Sequence, residues 1–311
     1  MITVLTPNPA VDITYTLAHV TIGEVHRVHD VALRAGGKGL NVARVLAALG
    51  EAVTVGGFLG SGAGRQLGEL LDGAGLTQAW VEVGAEARRT VTVVHDGVAT
   101  AFNEAGQPVG ASAWERLAAQ VGESAGPGDV VVVSGSMPPG TEPEQLAAVV
   151  AAARARGART VVDTSGPLLH AAAGAGADVL KPNAEELTGA TGASDLRAGA
   201  GELLAAGAGA VVVSRGEDGM LLVLPGAPQP RTWAARPAEQ LAGNPTGAGD
   251  AAVAALTRAL SAAPDRPLAD VLPAALPDAV ALSGAAVLRP VAGEVDLDAY
   301  ERMRTEITVE S

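Results

Sequence analysis

Residues 243–256 read GNPTGAGDAAVAAL: a turn-forming Asn-Pro, then Thr246, the small residues Gly247, Ala248 and Gly249, one acid, Asp250, and a run of helix formers. Glycine weakens a helix, so two of them set against a helix start have either a structural or a chemical reason. The structural one is a turn followed by an acid where the helix dipole favours negative charge. The chemical one is that bare backbone N–H groups at a helix start bind an anion, and an acid beside them could act on the group attacking it.

Four further places could carry chemistry. TPNPAVD (6–12) ends a strand in a turn and sets Asp12 at its mouth. AGGKGLNVARVLAALG (35–50) is a glycine turn opening an amphipathic helix, with Lys38 and Asn41 at its start. KPNAEEL (181–187) spaces Asn183 and Glu186 three residues apart, on one side of a helical first turn, and SRGEDG (214–219) follows as a tight turn. Each has a structural reading as well: Asp12 as a turn residue, Asn183 as a helix cap with Glu186 as its reciprocal partner. Specificity comes from their occurring in order.

The elements that position them are an alternation. From about residue 129, short β-branched runs alternate with Ala/Leu-rich helices: strands at 129–135, 159–163, 177–183 and 209–216, helices at 142–156, 167–175 and 184–190. Continuous apolar strands between helices predict a parallel sheet covered on both faces. Ligands of such sheets sit beyond the carboxyl ends of the strands, where Ser134, Asp163, Lys181 and Ser214 fall. Residues 90–103 instead alternate around Asp96-Gly97, a hairpin signal, and with the strand-like 12–33 they predict a small antiparallel sheet. Too small to bury both its faces, it should cover an active site, a partner subunit, or both.

Composition excludes much. The 34 Asp+Glu against 21 Lys+Arg give a formal charge of -13, unsuited to nucleic acid or an anionic membrane surface. With no cysteine there are no disulfides, thiolate metal sites or cysteine nucleophiles, and five histidines lack H-x-x-x-H spacing. No signal peptide is legible, and the apolar runs read as too short and broken to span a membrane, so the expectation is a cytoplasmic protein. No P-loop is present, since Gly39 follows Gly37-Lys38, and no complete G-x-G-x-x-G occurs.

TPNPAVD, GGKGLNVA, SGSMPPG, DTSG, KPNAEEL, SRGEDG and TGAGDA, in this order and over essentially the whole chain, resemble the pfkB-type carbohydrate kinases. Among subgroups the sequence is most similar to 1-phosphofructokinases and tagatose-6-phosphate kinases, through TPNPAVD, GEVHRV and SGSMPPG. The resemblance implies a ribokinase-like three-layer α/β/α sandwich with a mostly parallel central sheet and a small antiparallel β lid. Residues 1–311 would form one domain, with lid strands from about 12–33 and 88–103.

It also implies roles. Asp250 would be the base that takes a proton from the attacking sugar hydroxyl, with the N–H groups of Gly247, Ala248 and Gly249 as anion hole. Asp12, Gly37, Gly39, Asn41 and Ser136 match sugar-binding positions, and Lys38, in the same turn, would reach the phosphates. Asn183 and Glu186 match an N-x-x-E element that organises Mg²⁺, Glu186 acting through water; Ser214, Gly216, Gly219 and Thr246 would bind ATP, and Ser283 to Ala286 would line the adenine slot. Arg27 and Arg88 would bind a phosphate already on the sugar, because the arginine fork suits phosphate, whereas Arg89 reads as a solvated strand residue.

Two departures stand out: Pro245-Thr246 precedes GAGD where the phosphosugar subgroup often has Val, and Arg215 occupies a position commonly small or apolar. The expected activity is ATP- and Mg²⁺-dependent phosphorylation of a phosphorylated ketohexose, fructose 1-phosphate giving fructose 1,6-bisphosphate as first choice. Tagatose 6-phosphate, fructose 6-phosphate and an unphosphorylated sugar are the alternatives. A non-catalytic sugar- or nucleotide-binding regulator would have no need of Asp250. The expected partners are the sugar phosphate, ATP and a second copy of the chain joined through the lid.

Overall fold

A computed structural model describes residues 1–96 and 98–311. The chain enters on β1 (Ile2–Thr6), forms β2 (Ala10–Thr16) and β3 (Asp30–Gly36) of a small sheet, and returns through α1 (Lys38–Ala48) to β4 (Val53–Ser61), α2 (Ala63–Leu71) and β5 (Thr77–Glu86). β6 (Arg88–His95) and β7 (Val98–Asn103) complete the small sheet. Then come α3 (Ala111–Ser124), β8 (Val130–Ser134), α4 (Pro143–Ala155), β9 (Arg159–Asp163), α5 (Pro167–Gly174), β10 (Val179–Leu180), α6 (Ala184–Thr191), α7 (Leu196–Ala206) and β11 (Val211–Ser214). The remainder is β12 (Met220–Leu224), β13 (Arg231–Ala235), α8 (Ala248–Ala262), α9 (Leu268–Val287), α10 (Leu297–Met303) and β14 (Val309–Glu310).

The strand and helix positions anticipated between 129 and 216 are met to within a few residues. The large sheet runs β14-β13-β12-β11-β10-β9-β8-β1-β4-β5. From β11 to β5 all neighbours are parallel; β12, β13 and β14 add antiparallel at the far edge. Strand residues alternate between two apolar cores. Val130, Val132, Val161 and Val212 join one core with α1, α8 and α9; Val131, Val133, Val162 and Val213 join the other with α3, α4 and α7. This burial on both faces is why these strands are unbroken valine runs rather than alternating ones.

The small sheet, β3-β2-β6-β7, holds the lid strands. Both outer pairs are antiparallel and its central pair, β2–β6, is parallel. The β6–β7 hairpin closes where Asp96-Gly97 predicts it; Asp96 has φ +48°, and Gly97 lies outside the described residues. Every residue of β7 is exposed, as are four of the seven in β3. Between β2 and β3 the chain forms an irregular loop, with Ile22 and Val25 each 94% exposed. Arg27, expected on a strand, is an exposed residue of this loop. Proximity in sequence to strand-like segments misplaced it.

One apolar run is longer than expected. α9 has 20 residues at mean hydropathy 1.3 and, among the described residues, is the one helix long and apolar enough to cross a membrane. It carries Pro273 and Pro277 and packs its apolar side into the core beside α8.

Candidate active site

The start of α8 shows why glycines meet an acid there. Gly247 caps the helix at φ +91°, a backbone that residues with a β-carbon rarely adopt, and a β-carbon would come within 3.0 Å of Ala292. The first helical bond is from Ala251 N–H to Gly247 O at 2.9 Å. The amides ahead of it therefore lack helical partners. Ala248 N–H donates instead to Pro245 O at 3.2 Å, which leaves Gly247 and Gly249 as the better anion donors of the three expected. Ser283 Oγ, from α9, donates to Ala248 O at 2.7 Å and ties down this first turn.

Asp250, buried, sits inside a balanced set of charges. Asn41 Nδ2 donates to its Oδ2 at 2.9 Å. Asp163, at the end of β9, is a second buried carboxylate, accepting from Ser134 Oγ at 3.2 Å. Lys181, also buried, places Nζ 3.5 Å from Asp163 Oδ1, while Lys38 Nζ lies 3.8 Å from Asp163 Oδ2 and 3.6 Å from Glu186 Oε1. Burial, then the Asp163 charge, push the Asp250 carboxyl up to about 6; Asn41 and the two lysines hold it from going higher. Burial pulls the Lys38 ammonium down, but Asp163, Glu186 and Asp250 outweigh that and leave it raised.

A cavity of about 640 Å³ opens from Asp250, large enough for a nucleotide. Lys38, Asn41, Asn183, Glu186, Ser214, Gly216, Gly219, Thr246, Gly247, Ala248, Gly249 and Ser283 all line it, so the sequence-predicted nucleotide side is brought together. Of Ser283 to Ala286, Ser283 and Gly284 line it; Ala285 and Ala286 turn into the core, and Val280 and Val287 take the place expected of them. Asn183 and Glu186 do form a capping box, Glu186 N–H to Asn183 Oδ1 at 2.7 Å and Asn183 N–H to Glu186 Oε2 at 2.9 Å. The structural reading of that pair is thus met, yet Glu186 Oε1 still faces Lys38 in the cavity.

Among the described residues no group of three acids or histidines could cage a metal. Asp163 Oδ1 is buried without a hydrogen-bond partner, and with Glu186 it supplies hard oxygen donors to the cavity. This set fits Mg²⁺ carried largely by phosphates and water.

Several of the residues expected on the sugar side sit in or beside the small sheet. Asp12, half-buried on β2, stands across from Arg34 on β3 and Thr90 on β6. Burial raises its carboxyl pKa against the pull of the Thr90 hydrogen bond and of Arg88, Arg44 and Arg34. A β-carbon at Gly36 would overlap the Asp12 carboxylate, and Gly37 and Gly39 pack against Thr6 at the end of β1. Arg88 donates from Nε to Asn8 O at 3.0 Å and from Nη1 to Glu104 O at 3.3 Å, while Arg89 pairs with Glu86 on the surface at 3.0 Å. Ser136 is exposed in the loop after β8, and of the residues expected on the sugar side Asp12, Arg27, Gly37, Gly39, Arg88 and Ser136 are not cavity residues, whereas Lys38, Asn41 and Asp250 are.

Sequence reasoning noted Asp163 and Lys181 only as strand-end residues, and gave no role to Arg34, Arg44 or Gly36. Position at the carboxyl ends of β9 and β10 was the available signal for the first two. Nothing in the local pattern marks the others.

The match to the family of pfkB carbohydrate kinases runs over residues 5–297. The chain belongs to that family. It is 39% identical over 262 residues to a 1-phosphofructokinase of Rhodobacter capsulatus, covering 81% of each chain. It is 35% identical over 190 residues to a tagatose-6-phosphate kinase of Staphylococcus epidermidis, a match spanning 60% of this chain and 61% of that protein. Phosphofructokinase-2 from Escherichia coli shares the fold at a TM-score of 0.87 with 28% identity over 98% of both chains. The ribokinase-like α/β architecture expected from the resemblance is therefore the observed one.

The raised Asp250 carboxyl has a consequence for stability. Its folded pKa of about 6 exceeds its ordinary 3.8, so between these values the folded chain binds the extra proton and stability falls as pH rises. Asp250→Asn removes that cost and should be more stable than the parent at pH 8 by up to about 3 kcal/mol, with little difference below pH 4. Urea unfolding at both pH values measures this; a less stable variant at pH 8 would contradict the burial argument.

Proposed function

We propose that this pfkB-family kinase transfers the γ-phosphoryl group of ATP to a hydroxyl of a phosphorylated ketohexose, fructose 1-phosphate before tagatose 6-phosphate. The observation that carries this is Asp250, buried with a raised pKa in the first turn of α8 beside the free amides of Gly247 and Gly249. In the proposed step Asp250 accepts the hydroxyl proton as the new O–P bond forms and the bond to the ADP oxygen breaks. The amides and Lys38 meet the charge on the transferring group, with Lys181 behind them. Glu186 and Asp163 would hold Mg²⁺ through water, and the ion would neutralise charge on the phosphates. Identity of 39% to a 1-phosphofructokinase over most of the chain supports the choice of sugar. Such substrates and ATP place its work in the cytoplasm.

The phosphate already on the sugar needs local cations in a chain of charge -13. Arg34, Arg44 and Arg88 gather around Asp12, and Arg88 keeps Nη2 clear of hydrogen bonds among the described residues. We assign phosphate binding to Arg88, with Arg27, exposed on its loop, as a second cation for it. An assay of ADP release over a sugar panel should then show activity on fructose 1-phosphate well above that on free fructose or ribose. Asp250→Asn should lower kcat by at least about a hundredfold, and Arg88→Ala should raise KM for the sugar phosphate by roughly 2–4 kcal/mol equivalent with KM for ATP little changed. Equal efficiency on free and phosphorylated sugars would overturn the assignment, and an active Asp250→Asn would remove the base.

The lid presents Val31, Leu33, Val98 and Phe102 on exposed strand faces, beside the loop carrying Ile22 and Val25. So much bare apolar surface on a four-stranded sheet asks for a cover, and a second lid provides one. We expect a homodimer by light scattering at assay concentration. A fully active monomer would refute it.

A further inference from the structure

Arg44 stands behind Asn41 on α1, one turn on, and is half-buried. Nη2 donates to Ala35 O, and Nη1 points at Asn41 Oδ1 at 3.4 Å. The other end of the same amide donates from Nδ2 to Asp250 Oδ2 at 2.9 Å. A guanidinium can only donate and an ionised carboxylate can only accept, so the Asn41 amide has one orientation that suits both neighbours. The Asn41 backbone is also enclosed: a β-carbon on Gly293 would lie 3.0 Å from its Cα.

We infer that Arg44 is a positioning residue for phosphoryl transfer, locking the Asn41 amide so that Asp250 Oδ2 is held and Oδ1 is turned to the incoming hydroxyl. This rests on the reading of Asp250 as the base. Without Arg44 the amide can turn its oxygen toward the carboxylate, where it repels instead of donating, and Asp250 loses its fixed geometry. Burial at this site pulls the Arg44 guanidinium down to about 10, with Arg34 adding to the effect and Asp12 and Glu294 opposing it, so it stays charged at neutral pH. Facing Asp250 itself are Asp163 from β9, Lys38 and Asn41 from α1 and Lys181 after β10. Among the described residues none of these acts on Arg44 apart from Asn41, whose amide connects the two charges in the hydrogen-bond network.

Arg44→Met should lower kcat about tenfold while KM for ATP changes less than about threefold, and should move the acid limb of kcat/KM upward, because the Asn41 bond holds the Asp250 pKa down. The deciding measurement is a double-mutant cycle with Asn41→Leu. If Arg44 acts through the amide, Arg44→Met has little further effect on kcat once Asn41 is gone. Equal effects in both backgrounds would overturn the inference. Arg44→Lys, which keeps a donor but not the fork, should recover part of the rate, and it replaces Arg44→Met in the cycle should the methionine variant fail to fold. Asp250→Asn in the same series separates the two claims. If it is inactive and the cycle is additive, only the role of Arg44 fails; if it is active, the base assignment itself fails.

Discussion

The structure turns on one unfavourable placement: two buried carboxylates, Asp250 and Asp163, facing each other at the start of α8. Left alone, such a pair would give up a charge by taking a proton. Lys181, buried against Asp163 after β10, and Lys38, at the start of α1 and shared between Asp163 and Glu186, supply the opposite charge. The result is a carboxyl that titrates at about 6, ionised for the most part at neutral pH yet basic enough to take a proton. Losing either lysine would leave the two buried carboxylates short of their counter-charge.

That balance dictates the surroundings. Lys181 and Asp163 are reached only if β9 and β10 end side by side, which the parallel register Val161–Val179 and Val162–Leu180 enforces. The first turn of α8 lies near Lys181: a β-carbon at Gly249 would stand 3.4 Å from Nζ, an ordinary contact. On the other side, arginines at the neck of the lid supply cations that the acidic surface lacks. Glu294 reaches Arg34 at 3.4 Å and Arg289 at 3.7 Å, and so links that neck to the loop packed on Gly247. The ion pairs are half-exposed and weak singly. Their value is in alignment of the lid with the site.

Much of this was legible in the sequence because it is local. Valine runs between helices report burial on both faces, and GNPTGAGDAAVAAL reports a strained cap with an acid behind it. Asn183 and Glu186 show the limit of such reading, since capping and cavity-lining are carried by the same two side chains. What stayed hidden depends on contacts distant in sequence. Among the described residues Arg44 meets Asp250 through Asn41, Gly36 makes room for a carboxylate from another strand, and Arg27 follows an irregular loop no periodicity describes. The parallel pairing of β2 with β6 is likewise set by how the lid crosses the main sheet, not by either strand's own pattern.

The central claim is that burial beside Asp163 raises Asp250 into the range of a working base. Titration of its side-chain carboxyl carbon by NMR, identified by its loss in Asp250→Asn, tests this directly. A midpoint near 6 that falls when Asp163 is replaced by Asn is the predicted result. A midpoint near the ordinary 3.8, or one unmoved by the Asp163 change, would contradict the account.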